Sequence, residues 1–207
     1  MSTNHWDAVI FDYGGVLCYA PTAKDVTAYA EGSGLEEAKF FKLYLETRDY
    51  YGRAATGYAA HWHRVANASG ISISEDAVKQ FIEKESDLWT QPNADTLALA
   101  RDIKQAGGKI AILSNMTFEL LAILHAKFDW LDEFDVRVWS CELGCAKPDE
   151  TIYRSCLTAL GCEPSRALFF DDRPRNVEGA RRLGMEAQVF ESVVQARAIV
   201  ANGIGLR

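Results

Sequence analysis

The chain has 207 residues, of which 48% are apolar and 25% are charged, and these values are ordinary for a globular protein with one domain or with a core and a smaller insert. The net charge of −7 argues against a role on nucleic acid, because that role requires a basic face. No segment approaches the roughly 20 apolar residues of a membrane span, so we expect neither nucleic acid nor a membrane among the partners.

The N-terminus and the cysteines favour a cytoplasmic location. The start MSTNHWDAVIFDY has no cationic residues before its short apolar run, which we interpret as a strand and not as a signal peptide. The five cysteines are odd in number and form no CxxC pair, so the sequence indicates neither a disulfide framework nor a zinc ribbon. We therefore expect a reduced, cytoplasmic protein. Its oligomeric state is open between a monomer and a homodimer.

The first predicted strand covers residues 8–12 (AVIFD), and a long segment without a strand pattern follows it. Four helical patterns succeed one another in that segment, with glycines between them: residues 22–31, 35–51, 56–68 and 75–88. A segment of this length is too long for a loop. We predict an inserted helical cap domain, residues 20–89, that covers the carboxyl edge of a sheet.

Beyond the insert, strand and helix patterns alternate. Further strands are predicted at residues 109–114, 135–139, 166–171 and 186–190. Helices are predicted at residues 93–106, 149–160 and 174–183. The apolar runs of the strands are mostly continuous, which is typical of a parallel sheet that is buried on both faces. The predicted fold is therefore α/β, with a Rossmann-like doubly wound parallel sheet formed by residues 1–19 and 90–207.

Polar side chains stand at or just beyond the ends of four apolar segments: Asp12, Ser114 with Asn115, Lys147, and Asp171 with Asp172. Ligands of open parallel sheets bind at the carboxyl ends of the strands. Two adjacent carboxylates behind a buried strand repel each other and resist desolvation, which makes sense if a cation neutralises them. Oxygen ligands suit Mg²⁺. Asp12 could then attack phosphorus and form an aspartyl-phosphate, while Ser114 and Lys147 hold phosphate oxygens.

The order of the motifs DYGGVL, LSN, KPD and FFDD resembles the four signatures of the haloacid dehalogenase superfamily of hydrolases. The insert after the first strand is similar to that of the subgroup with a helical cap, so the resemblance covers essentially the whole chain. It implies a Rossmann-like core with Asp12 as the nucleophile. It also implies that Ser114 and Lys147 act in catalysis and that both, together with Asn115, bind the substrate.

The same resemblance implies a Mg²⁺ cofactor held by Asp12, by the backbone carbonyl of Gly14 and by the acid pair. In relatives the second acid usually ligates directly, which favours Asp172 as the direct ligand and Asp171 as its outer partner. Asn176 falls where many relatives carry another acid, and is a candidate for metal support.

Position 14 departs from the family pattern. Phosphatases of the superfamily usually read D-x-D at the first motif, with the second Asp as general acid and base, whereas this chain has Gly14. Such a group typically contributes about 10²–10⁴-fold to the rate. Either the cap supplies a substitute, with Asp49, His61 and His63 as candidates, or the substrate has a good leaving group such as a sugar 1-phosphate, or the enzyme is slow.

A branch of sugar-phosphate phosphatases, together with the phosphatase domain of soluble epoxide hydrolase, tolerates a D-x-G start in some members and is similar to this chain in its LFFDD motif. We therefore predict a Mg²⁺-dependent phosphatase whose partner is a small phosphorylated metabolite, with a sugar phosphate as one candidate. Two alternatives stay open. A 2-haloacid dehalogenase would use Asp12 on carbon without a metal, and a regulatory member would keep the phosphate site with weak catalysis.

Overall fold

The computed structural model describes residues 5–31, 36, 58–68, 70 and 72–204. The strands of these residues are β1 (Ala8–Phe11), β2 (Lys109–Ser114), β3 (Val136–Trp139), β4 (Ala167–Asp171) and β5 (Glu186–Val189). All neighbours pair in parallel, in the order β3-β2-β1-β4-β5. The predicted doubly wound α/β fold is confirmed, since this is the strand order of a Rossmann-like sheet.

The strand order places a topological switch point between β1 and β4. The chain moves outward from β1 through β2 to β3, and then returns to the other side of β1 with β4 and β5. In the register of the sheet, Phe11 pairs with Ile112 on one side and with Phe170 on the other. The residues that follow β1 and end β4 therefore emerge side by side at the carboxyl edge.

Helices flank the sheet and connect its strands. They are α1 (Ala23–Glu31), α2 (Tyr58–Ala68), α3 (Glu75–Leu88), α4 (Ala94–Gln105), α5 (Phe118–Lys127), α6 (Ser140–Leu143), α7 (Glu150–Leu160), α8 (Pro174–Arg182) and α9 (Val193–Ala201). Short 3₁₀ turns cover Asp129–Glu133 and Pro164–Arg166. None of the described helices is both long enough and apolar enough to cross a membrane.

The helix predictions for the core are confirmed at their boundaries. Asn93 caps α4, because its side-chain oxygen accepts a hydrogen bond from the Thr96 amide at 3.3 Å. Gly161 ends α7 in the left-handed conformation, with φ of 60°. The sequence pattern did not predict α5, α6 or α9. The β-branched and apolar residues of α9 (VVQARAIVA) obscure its helical period, although Ser192 caps it.

The sheet is buried on both faces. Alternate strand residues fill two separate apolar clusters, since successive side chains of a strand point to opposite faces. One cluster contains Phe11 and Phe170, and the other contains Ile10 and Phe169. This double burial explains why the strands read as continuous apolar runs.

A third apolar cluster belongs to helices α1, α2 and α3. Its members are Tyr29, Ala30, Trp62, Val78 and Phe81. The predicted helices at residues 22–31, 56–68 and 75–88 are thus confirmed where they are described, whereas the one at 35–51 lies, apart from residue 36, outside the described residues. The partly buried Ile82 and Leu88 pack against both this cluster and the sheet core. The division into a core and a cap of residues 20–89 stays a prediction.

The chain leaves and re-enters the sheet region along paired segments. The Tyr19 amide donates to the Gln91 carbonyl at 2.9 Å, and the Asn93 amide donates to the Leu17 carbonyl at 2.8 Å. These two bonds flank an antiparallel bridge between Cys18 and Pro92. The segment that enters the helical region and the segment that leaves it are therefore joined to each other.

Candidate active site

Asp12 follows β1 directly and lies at the switch point. Its backbone amide donates to the Phe170 carbonyl of β4 at 2.9 Å, which extends the pairing of the strands by one residue. Its Oδ1 accepts a hydrogen bond from the Tyr13 amide at 2.7 Å. The residue is only 7% exposed. The end of β1 therefore fixes a nearly buried carboxylate in one orientation.

Asp171 ends β4 and is fully buried. Its Oδ1 accepts hydrogen bonds from the Arg173 amide at 2.8 Å and from Asn176 Nδ2 at 2.9 Å. Its Oδ2 accepts from Lys147 Nζ at 2.6 Å and from the same Asn176 nitrogen at 3.1 Å. Both oxygens of this carboxylate accept hydrogen bonds within the protein, so its orientation is fixed.

Lys147 lies between the two acids. Its Nζ is 2.8 Å from Asp12 Oδ1 and 2.6 Å from Asp171 Oδ2, and its side chain is 1% exposed. The ammonium also lies 5.5 Å from the centre of the Phe169 ring. A buried ammonium is tolerated here because it has two anionic partners.

Asn115 positions Lys147 from the next strand. Its Oδ1 accepts a hydrogen bond from the Lys147 amide at 2.8 Å, and its Nδ2 donates to the Lys147 carbonyl at 3.1 Å. The Asn115 side chain is thus occupied by backbone groups, and its predicted contact with substrate stays a prediction. Ser114, the last residue of β2, is 3% exposed at the same edge of the sheet.

Asp172 completes the acidic group at a more exposed position. Its carboxylate packs on Gly15, where an added Cβ would lie 2.8 Å from Asp172 Oδ2. Gly15 also has a φ of +78°, which other residues rarely adopt. One ligand oxygen each from Asp12, Asp171 and Asp172 lies within 4.8 Å of the others. Glycine at position 15 is therefore what lets the second acid approach the loop after β1.

The electrostatics of the cluster reflect burial and an excess of negative charge. Burial raises the pKa of Asp12 to about 7, because Lys147 offsets only part of the lost hydration and Asp171 and Asp172 add repulsion. Burial and the neighbouring Asp171 also raise the pKa of Asp172. Burial by itself lowers the pKa of Lys147, but the charges of Asp12 and Asp171 outweigh it and raise that pKa.

The donor set fits a divalent cation of the Mg²⁺ type. Three carboxylates share one buried ammonium, and Arg173 offsets part of the charge of Asp172. A dication near the three carboxylates would relieve the repulsion that raises the pKa of Asp12 and Asp172. Carboxylate oxygens are the ligands that Mg²⁺ prefers in proteins. Gly14, the predicted carbonyl ligand, lies in the same loop as Asp12.

The predicted substitutes for the missing acid at position 14 are only partly described. Asp49 and the side chain of His61 lie outside the described residues. His63 Nε2 is 3.1 Å from Glu75 Oε1, a pairing between α2 and α3. Of the three candidates, only His63 has a described side chain, and its hydrogen-bond partner is Glu75 and not Asp12.

Three residues that support the site could not be assigned a role from the sequence. Gly15 admits the Asp172 carboxylate, the Arg173 amide donates to Asp171, and the Trp89 ring packs on Gly14. The pair Gly14-Gly15 was a usable signal, because two glycines after a buried strand and an acid indicate close approach. Nothing in the sequence around Trp89 indicates its contact.

The site lies in a chain with clear relatives. A family model of haloacid dehalogenase-like hydrolases matches residues 6–184. The chain is 31% identical over 198 residues to acyl-CoA dehydrogenase family member 10 of Mus musculus. That match covers 86% of this chain and 17% of that protein. It is also 30% identical over 137 residues to phosphatase MT3486 of Mycobacterium tuberculosis, in a match that covers 63% of this chain and 60% of that protein. The chain thus spans less than two thirds of the length of either relative.

A solved structure shares the fold. It is a HAD family enzyme from Bacteroides thetaiotaomicron in complex with magnesium and inorganic phosphate, with a TM-score of 0.70 and 20% sequence identity. The match covers 89% of this chain and 93% of that chain. At this level of identity the likeness shows a common fold.

Proposed function

The chain belongs to the haloacid dehalogenase-like hydrolase family, and we propose that it is a Mg²⁺-dependent phosphatase that hydrolyses a small phosphorylated metabolite through an aspartyl-phosphate on Asp12. A sugar phosphate is one candidate substrate. The observation that carries the proposal is the group of Asp12, Lys147, Asp171 and Asp172 at the switch point of the sheet. The name of the mycobacterial relative, a phosphatase, supports the same reaction type.

Asp12 is suited to act as the nucleophile. The Tyr13 amide and Lys147 Nζ both bind its Oδ1, and this orientation leaves Oδ2 for attack on phosphorus. The attack forms a bond from Asp12 to phosphorus and breaks the bond to the leaving oxygen, which splits one difficult hydrolysis into two steps. Water then attacks the phosphorus of the aspartyl-phosphate, releases inorganic phosphate and restores the carboxylate.

Lys147 and Ser114 are suited to hold the phosphoryl group. An ammonium has three donors, of which two are used by Asp12 and Asp171, so one remains for a phosphate oxygen. Asp12 and Asp172, with the Gly14 carbonyl, would hold Mg²⁺, and Asp171 would support them from outside. Bound there, the cation would reduce the repulsion between the anionic nucleophile and the anionic ester.

The acid pair favours this reaction over haloacid dehalogenation. A metal-free attack on carbon gives no reason to gather three carboxylates within 4.8 Å, because each added charge only raises the pKa of its neighbours. Release of halide from a 2-haloacid in the presence of EDTA would support the dehalogenase instead.

The test is a phosphate-release assay of the purified chain on a broad panel of phosphomonoesters, with Mg²⁺ and with EDTA. We expect Mg²⁺-dependent activity that EDTA abolishes. Asp12→Asn should lower it by at least about 10⁴-fold, the scale on which loss of a nucleophile acts. Asp7→Asn is the matched control, because Asp7 is an exposed acid paired with Arg166, and we expect nearly full activity. No phosphate from any ester, or equal activity of the Asp12 variant, would overturn the proposal.

A further inference from the structure

Trp89 occupies the space beside Gly14 in the loop that carries Asp12. A Cβ added at Gly14 would lie 2.9 Å from Cζ3 and 3.4 Å from Cε3 of the Trp89 ring. Real Cβ atoms essentially never approach another heavy atom below 3.0 Å. Trp89 is 8% exposed and belongs to the sheet core cluster, so its ring cannot turn out to solvent without loss of packing. Any side chain at position 14 would have to displace an indole ring.

The loop itself holds Trp89 in this place. The Tyr13 hydroxyl donates to the Trp89 carbonyl at 2.7 Å, and Cys18 Sγ donates to the same oxygen at 3.1 Å. The Trp89 amide donates to the Ser86 carbonyl at the end of α3 at 3.0 Å. Residues on both sides of Gly14 thus fix the backbone from which the ring projects.

The described ionisable groups around Asp12 already have partners or roles. Lys147 is bound to two carboxylates, and both oxygens of Asp171 accept hydrogen bonds. Asp172 and Asp12 carry the charge that attracts the cation. Among the described residues, none of these groups is left to protonate the leaving oxygen of a phosphate ester, and position 14 offers only a glycine covered by the Trp89 ring.

We infer that Trp89 is a specificity-determining residue, and that the chain acts on phosphomonoesters whose leaving oxygen is acidic, such as an anomeric, enolic or phenolic oxygen. This inference rests on the proposed phosphatase function. When Asp12 bonds to phosphorus and the bond to the leaving oxygen breaks, the electron pair stays on that oxygen, which takes a proton from water afterwards. An acidic hydroxyl carries this negative charge far more readily than an ordinary alcohol, so it needs no general acid.

Two matched pairs of substrates test the inference on the unaltered protein. In the first pair, the leaving oxygen of glucose 1-phosphate is anomeric and that of glucose 6-phosphate is a primary alcohol oxygen. In the second pair, the leaving oxygen of phenyl phosphate is phenolic and that of benzyl phosphate is an alcohol oxygen. We expect kcat to favour the acidic member by at least about 10²-fold in whichever pair binds, the scale of a missing general acid. The pair with the lower KM identifies a sugar or an aromatic substrate.

The outcomes separate the two proposals. Equal kcat within each pair would overturn the inference and leave the proposed phosphatase function intact, because some group of the protein would then protonate every leaving oxygen. No turnover of any ester with Mg²⁺ present would overturn the phosphatase itself.

Variants at both positions test the role of Trp89 directly. Gly14→Asp alone should not raise kcat for the alcohol phosphates, because the indole ring excludes the new side chain. Gly14→Asp combined with Trp89→Leu should raise that kcat by at least about tenfold relative to Trp89→Leu, a fraction of the about 10²–10⁴-fold that general-acid catalysis typically contributes. Gly14→Asp with Trp6→Leu is the control, since Trp6 is an equally buried indole that packs on Gly203. A gain from Gly14→Asp alone would contradict the inference, and the wild-type substrate pairs decide if the double variant does not fold.

Discussion

The carboxyl end of the sheet and the helical cluster are both buried, but they bury different chemistry. The sheet end encloses an ammonium between two carboxylates, namely Lys147 with Asp12 and Asp171. The helical cluster instead packs aromatic rings, with Trp62 4.9 Å from Phe81 and 5.6 Å from Tyr29 between ring centres. The ionic group is costly to bury and depends on the directions of its hydrogen bonds, whereas the hydrophobic effect that buries the rings is non-directional.

The difference indicates that the two regions have different roles in the protein. An ion cluster at a switch point can bind and transform a ligand, because its charges are held against their own repulsion. The helical cluster has the composition of a packing core. Its described contacts with the sheet core include Ile82 and Leu88, the paired segments at 17–19 and 91–93, the hydrogen bond from Tyr13 to the Trp89 carbonyl, and the ion pair of Lys127 with Asp87. We expect a change in one region to affect the other mainly through these links.

The largest expected effect comes from Lys147→Met, which keeps the aliphatic stem and removes the ammonium. Without it, Asp12 and Asp171 are left as buried like charges, so the free energy of unfolding in EDTA should fall by about 3–5 kcal/mol. Phosphatase activity should be lost as well. Denaturant unfolding and the phosphate-release assay measure the two effects.

Lys104→Met is the matched control for that change. Lys104 pairs with Asp135 at 2.9 Å on the surface and is 45% exposed, so its loss should cost less than about 1 kcal/mol. If the Lys147 variant is no less stable than the Lys104 variant, the buried ion cluster contributes no more to the free energy of unfolding than a surface ion pair does.

The second effect tests the independence of the helical cluster. Trp62→Ala removes a side chain that is 1% exposed and should destabilise the cluster by about 3–5 kcal/mol. Hydrogen exchange should accelerate in α1, α2 and α3, while the amides of β1 and β4 stay protected. We expect KM to change more than kcat, because the ion cluster remains in place.

Leu99→Ala supplies the comparison from the sheet side. Leu99 is fully buried in α4, and its truncation should cost about 2–5 kcal/mol and accelerate exchange in the strands. Equal acceleration of exchange in β1 by the Trp62 and Leu99 variants would mean that the two regions unfold as one unit.

The smallest effect concerns the hydrogen bond from Tyr13, beside Asp12, to the Trp89 carbonyl at the end of the helical region. Tyr13→Phe removes the buried hydrogen bond to the Trp89 carbonyl, which Cys18 still reaches, so the free energy of unfolding should fall by about 0.5–1.5 kcal/mol. Tyr29→Phe removes a similar hydroxyl that donates to the Phe81 carbonyl inside the helical cluster. We expect only the Tyr13 variant to lower kcat, because Tyr13 adjoins Asp12. A larger loss of kcat in the Tyr29 variant would contradict this assignment.

Most of the sheet could be predicted from local patterns. The apolar runs of the five strands are continuous because both faces of each strand are covered, and each strand lies within one residue of its predicted range at either end. The helix caps Asn93 and Gly161 could also be predicted, since each satisfies backbone groups within one turn of itself. Helix α5 was not predicted, because FELLAILHAK is apolar around much of its circumference.

The candidate site divides in the same way. Acids after β1 and at the end of β4 were predictable, because parallel strands bring their carboxyl ends to one edge. The role of Asn115 as a support for Lys147 was not, since it depends on how the loop after β3 folds back over β2.

The sequence by itself determined the strands and most of the helices, the fold family and the types of group available to the site, because periodicity, capping and strand-end chemistry are local. Only the tertiary structure decided which of those groups touch. It put β1 beside β4, Lys147 between Asp12 and Asp171, and the Trp89 ring over Gly14. These contacts follow from strand order, register and packing between distant segments, and no local pattern encodes a distance between them.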